Sequence, residues 1–136
     1  MPSRTIPKLL PRVDWLVIVA PHTPETERLI GREELALLRA HARLVNLGRG
    51  ALVDEPALIE ALRSGRLAGA ALDVFENEPL PATSPLWTME NVIITPHVAG
   101  FGPQTEERRL GVVLDNVRRF VAGEPLANVA DKARWY

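Results

Sequence analysis

Three short stretches of this chain carry side chains able to do chemistry, and each directly follows an apolar run. Arg49 stands between two glycines in Gly48-Arg49-Gly50, just after the run 42–47. A guanidinium fork presented there can hold a carboxylate by two parallel hydrogen bonds, although an ordinary surface arginine would look the same in sequence. His97 closes Thr95-Pro96-His97 after the run 91–95. An imidazole exchanges protons near neutral pH, and the competing reading is a structural histidine bonded to a loop carbonyl. Glu76 and Glu78 follow the run 68–75. A carboxylate bonded to one ring nitrogen would fix the tautomer of His97 and favour the protonated ring, and spacing alone does not choose between the two glutamates. Asp73 could accept a hydrogen bond from a ligand amide or simply cap a turn. Asp54 reads as a helix cap, and His22 and His41 read as non-catalytic.

The elements that must position these groups alternate. The run 14–20 (DWLVIVA) has the pattern of a strand buried on both faces of a parallel sheet. A helix is expected over 33–40, with Leu35, Leu37 and Leu38 near one face and His41 at its C-terminal end, where the helix dipole favours a cation. A second strand follows over 42–47 and ends at the paired glycines. Asp54 then caps a helix whose first turn holds Pro56, whose apolar face is Ala57, Leu58, Ala61 and Leu62, and which Gly65 ends. Strands over 68–75 and 91–95 and a long helix over 103–121 complete the order. Leu110, Val113, Leu114, Val117 and Phe120 lie on one side of that helix, and Gly123 and Pro125 stop it. Strands alternating with helices imply parallel pairing through right-handed crossovers, so the expected fold is α/β, one half of a doubly wound parallel sheet with a long C-terminal helix. Ligands of such sheets bind beyond the C-terminal strand ends, where the four polar groups would converge on one rim.

Composition narrows the classes. With 136 residues, 46% hydrophobic and 24% charged, the chain can bury one core. Sixteen basic and seventeen acidic residues give a net charge of -1 without a basic stripe, which disfavours nucleic acid. The absence of cysteine excludes disulfides, a thiol nucleophile and thiolate zinc ligation, and no metal site is expected. The apolar runs are too short to span a bilayer and residues 1–13 lack the apolar core of a signal peptide, so no membrane role and a cytoplasmic location are expected.

Four segments, in order, carry a family likeness: Thr23-Pro24-Glu25-Thr26; 45–54 (VNLGRGALVD); 69–79 (GAALDVFENEP); and 95–100 (TPHVAG). From about Asp14 to the segment 128–132 the chain resembles the D-isomer-specific 2-hydroxyacid dehydrogenases, glyoxylate/hydroxypyruvate reductases and phosphoglycerate dehydrogenases among them. The resemblance implies that Arg49 binds the substrate carboxylate and carbonyl, that Glu78, the glutamate directly before proline, is the partner of the histidine, and that His97 is the acid-base. It implies a cofactor, NAD or NADP, against Pro21, Thr26, Leu47, Gly48, Arg49, Asp73, His97, Ala99 and Gly100. It further implies that 1–102 is the C-terminal half of a Rossmann-type nucleotide-binding domain and that 103–136 is the crossover helix and tail returning to a substrate domain. The sequence departs from the family pattern in lacking a Gly-x-Gly-x-x-Gly turn. A fragment lacking its N-terminal half, with little or no turnover of its own, is therefore expected, with an exposed apolar helix that a partner chain or self-association would cover and a small 2-oxo or 2-hydroxy acid as substrate. The alternative expectation is a non-catalytic assembly module of the same fold, as in corepressors that share these motifs.

Overall fold

The computed structural model describes residues 5–133, and the chain divides into two compact units, 1–99 and 100–136. In the first unit, α1 (Ile6–Leu9) and a 3-10 turn (Leu10–Arg12) precede β1 (Trp15–Ile18); α2 (Arg32–Leu37), β2 (Arg43–Asn46), α3 (Glu55–Arg63), β3 (Gly69–Leu72) and β4 (Val92–Ile94) follow. The four strands pair in parallel in the order β1-β2-β3-β4. Their C-terminal residues are in register: Ile18 faces Asn46, Asn46 faces Leu72, and Leu72 faces Ile94. The strands therefore end level, and the segments after them emerge along one rim. This is the expected half of a doubly wound sheet.

The core lies on one side of that sheet. Ile18, Leu44, Ala70 and Leu72 join Leu35 of α2 and Leu58, Ala61 and Leu62 of α3 in a single buried cluster. Fully burying one leucine such as Leu58 stabilises by about 1.5–3 kcal/mol. The opposite face differs from the expectation of strands buried on both sides: Trp15, Val17 and Ile93 are more than half exposed. Period-2 alternation of the pleat sends those residues away from the helices, and a run apolar at every position does not say which side is covered.

Helix α3 forms as its residues predict. Asp54 accepts a hydrogen bond from the Ala57 N–H at 2.9 Å, all four residues of the apolar face are buried, and Gly65 turns out of the helix at φ +70°. Helix α2 is shorter than expected. It stops at Leu37, and Leu38, with ψ 149°, leaves the helical spacing to bury its side chain while Leu37 stays exposed. His41 consequently has no helix end to occupy and bonds Asp14 instead, at 2.7 Å. α1 and a 3-10 turn at Pro85–Thr88 had no apolar periodicity to announce them.

The second unit carries α4 (Thr105–Ala122). Glu106 and Glu107 complement the N-terminal dipole, and Gly123 at φ +69° ends the helix. It begins at Thr105 because the Thr105 N–H bonds the Gly102 carbonyl, making 103–104 a turn. None of its residues is buried, and Leu110, Val113, Leu114, Val117 and Phe120 are all exposed. The ends of the expected tail and of the N-terminal segment, 134–136 and 1–4, lie outside the described residues. Among the described residues no helix is long and apolar enough to cross a membrane.

Candidate active site

The turn after β2 is fixed on three sides before Arg49 is reached. A Cβ on Gly48 would lie 2.9 Å from the Ala20 carbonyl oxygen and from Leu52, and one on Gly50 would lie 1.9 Å from the Phe75 carbonyl carbon and oxygen. Glycine is thus required by close approach, and the contact at Gly50 seats the Arg49 turn directly against the backbone that leads to Glu78. Beneath the turn, Asn46 donates from Nδ2 to the Arg49 carbonyl at 3.0 Å and accepts the Gly48 N–H on Oδ1 at 3.1 Å. The Arg49 guanidinium donates once to the Gly48 carbonyl, at 2.7 Å, leaving most of its donors for a ligand.

The loop after β3 supplies the carboxylate. Glu78 accepts the Phe75 N–H on Oε1 at 3.0 Å and meets His97 Nδ1 with Oε2 at 2.7 Å. Burial acts to raise the Glu78 carboxyl, but the His97 and Phe75 hydrogen bonds and the charges of His97 and Arg49 outweigh it and hold the group below the usual glutamate range. Arg49, Glu78 and His97 follow three different strands, and the Arg49 charge acts in the same direction at the Glu78 carboxyl as the His97 charge. Glu76 does not compete: it pairs with Arg28 at 3.2 Å. On the Glu78 side, a cavity of about 580 Å³ walled by Phe75, Leu80, Trp87 and Ile94 reaches the Glu78–His97 pair.

Asp73 is nearly fully buried and holds the loop that carries the histidine. Its carboxylate accepts the Thr95 hydroxyl, the Val98 N–H at 2.9 Å and the Ala99 N–H at 2.8 Å, while its backbone carbonyl accepts the His97 N–H at 2.9 Å. Burial acts to raise this carboxyl too, and the bonds from Thr95, Ala99 and Val98, with the His97 charge, bring it below its usual value. His97 itself sits at φ +54°, a left-handed conformation that costs a residue with a Cβ about 1–2 kcal/mol, and the Asp73 bonds offset that cost. Loop capping, one of the two readings open for Asp73 in the sequence, is what the structure displays.

The remaining expected cofactor residues are arranged as follows. Thr26 donates its hydroxyl to the Pro21 carbonyl at 2.8 Å, closing the β1–α2 loop on itself. Leu47 is exposed beside the Arg49 turn, the Ala99 N–H is engaged by Asp73, and Gly100 opens the second unit, where its carbonyl accepts the Thr105 hydroxyl. A nicotinamide ring needs a flat apolar bed with few polar anchors. Val19, Leu47 and Val98, in the segments after β1, β2 and β4, are exposed apolar side chains, and Asp73 Oδ2 accepts the Ala99 N–H. The sequence holds no Gly-x-Gly-x-x-Gly turn of the kind that cradles a pyrophosphate. Sequence reasoning assigned no role to Asn46 or Thr95. The signal for Asn46 was an amide at the helix-facing phase of the strand, two residues after Leu44.

Residues 2–99 match the family described as "D-isomer specific 2-hydroxyacid dehydrogenase, NAD binding domain". Among curated relatives, D-3-phosphoglycerate dehydrogenase of Methanocaldococcus jannaschii is 41% identical over 93% of this chain and 24% of its own length. Glyoxylate/hydroxypyruvate reductase B of Pectobacterium carotovorum is 46% identical over 88% of this chain and 38% of its own. Among solved structures, a D-isomer specific 2-hydroxyacid dehydrogenase from Xanthobacter autotrophicus in complex with NADPH and MES superposes with a TM-score of 0.87 at 46% identity, over 97% of this chain and 54% of that one. The NADPH-dependent glyoxylate/hydroxypyruvate reductase of Sinorhizobium meliloti in complex with NADP and sulfate gives 0.87 at 37% identity, over 98% and 43%. The chain thus spans between a quarter and two fifths of the length of these curated relatives.

Proposed function

Because the chain belongs to the D-isomer specific 2-hydroxyacid dehydrogenase family through its NAD-binding domain, we propose that it supplies the catalytic side chains of an oxidoreductase acting between NAD or NADP and a small 2-oxo or 2-hydroxy acid. The observation that carries this reading is the 2.7 Å pair between Glu78 and His97 Nδ1, on the same rim as Arg49. With Nδ1 committed to the carboxylate, Nε2 is the atom that gives a proton to the developing alkoxide, and Glu78 stabilises the ring while it is charged. Arg49 holds the substrate carboxylate by its fork and stabilises negative charge growing on the carbonyl oxygen. Leu47, Gly48, Asp73 and the 97–99 segment would hold a reduced nicotinamide, which would supply the hydride. In the reverse direction Nε2 takes the hydroxyl proton. Pro21 and Thr26 line the cofactor cleft in this reading, and glyoxylate and hydroxypyruvate are the first substrates to test.

The chain contains no Gly-x-Gly-x-x-Gly turn, so alone it binds the dinucleotide weakly and turns over little. Residues bearing such a turn, which this stretch of sequence does not contain, complete the site. The test is oxidation of NADH or NADPH by glyoxylate or hydroxypyruvate, with and without the glycine-rich N-terminal half of a relative. Turnover that requires the supplied half and is lost in His97→Asn supports the reading. Tight association of the two polypeptides without turnover would favour an assembly role instead.

A further inference from the structure

We propose that Asn46 is a positioning residue for Arg49: its buried carboxamide clamps the turn that aims the guanidinium. Arg49 stands on a three-residue turn whose carbonyls and amides have no sheet partner beyond the last rung, the Leu47 N–H to the Ile18 carbonyl at 3.0 Å. Asn46 closes that turn from below. Its Oδ1 takes the Gly48 N–H and its Nδ2 bonds the Arg49 carbonyl, so one planar side chain fixes the Leu47–Gly48 and Arg49–Gly50 peptide units, one on each side of the Gly48–Arg49 unit. The Gly48 carbonyl, oriented by this clamp, is in turn the acceptor of the Arg49 guanidinium. Asn46 is only 1% exposed, at a strand position that alternation gives to an apolar side chain. An amide there costs stability unless both ends are bonded, and here both ends are bonded to the one turn. Its main chain joins the same arrangement, since the Asn46 carbonyl accepts the Asp73 N–H at 3.1 Å.

The inference rests on the proposed function for what Arg49 binds, and not for the clamp itself. Two variants of the full chain separate the possibilities. Asn46→Ala removes both bonds; Asn46→Asp keeps an acceptor for Gly48 and removes the donor to Arg49. In Asn46→Ala the Gly48 amide should exchange its hydrogen about tenfold faster or more, the scale of one lost buried bond, while the Leu47 and Asp73 amides keep their protection. In both variants Arg49 should react faster with a dicarbonyl reagent, read by peptide mass spectrometry with Arg43 and Arg66 as internal references. In the complemented assay, KM for the 2-oxo acid should rise about tenfold while KM for the reduced nicotinamide stays within about twofold, the split expected of a misaimed carboxylate anchor. A lowered Tm with Arg49 reactivity, Gly48 exchange and KM unchanged would overturn the proposal and leave Asn46 a merely structural residue. If Asn46→Ala does not fold, Arg49 reactivity in Asn46→Asp decides alone. Absence of turnover in the unsubstituted chain complemented with the glycine-rich half would refute the proposed function, and exchange and modification would still decide the clamp.

Discussion

Glu78 answers to two loops at once, accepting the Phe75 N–H with one oxygen and the His97 ring with the other. Replacing the imidazole in His97→Asn should lower kcat by about 10²–10⁴-fold in the complemented assay, the usual range for loss of a general acid-base. The pH dependence of stability follows from Glu78 and Asp73, whose carboxyls are both held below their ordinary values of 4.5 and 3.8. A carboxyl depressed in the folded state stabilises the fold fully above its unfolded value, and that contribution is lost as pH falls through the folded value. Stability should therefore drop steeply on acidification below about 4, and Asp73→Asn should show a shallower drop over that window by circular dichroism. Arg49, Glu78 and His97 stood out in the sequence as candidates because glycine and proline flank them and their motifs resemble a family, and the Glu78–His97 pair is the part the structure displays. Asp73 was legible as a polar strand end, whereas its engagement with Thr95, Val98 and Ala99 depends on contacts across more than twenty residues of sequence.

Among the elements, α3 was readable to its caps, since Asp54, Pro56 and Gly65 are local signals acting within one turn. Asp54→Ala should cost about 1 kcal/mol in chemical denaturation, the typical worth of an N-cap. The turn after β2 obeys a long-range constraint instead. Gly50→Ala would put a methyl within 1.9 Å of the Phe75 backbone, so about 3 kcal/mol or more should be lost in the same measurement, with activity falling beyond what unfolding explains. The sequence displays Gly50 only as a turn residue. Helix α2 was over-extended by three residues because Leu37 and Leu38 both fit a helical stripe, and the packing of Leu38 against the core breaks the helix before it. Each strand was likewise read two to four residues too long, since apolar character persists past the last ladder bond.

At the level of the whole chain, parallel topology was legible from the alternation of elements, but which sheet face is covered was not. The exposed Trp15, Val17 and Ile93 on the first unit, and the bare apolar stripe of α4 on the second, exceed what a lone soluble domain usually leaves to water. The isolated chain should therefore associate in a concentration-dependent way in sedimentation velocity, and Val117→Glu with Phe120→Glu should reduce that association. The claim on which everything else depends is that Arg49, Glu78 and His97 serve one hydride transfer. A single-turnover experiment with reduced nicotinamide deuterated at C4, glyoxylate and the complemented chain tests it most directly. Deuterium at C2 of the glycolate formed, abolished in Arg49→Ala and in His97→Asn, is the expected result; unlabelled product, or equal label transfer from those variants, would contradict it.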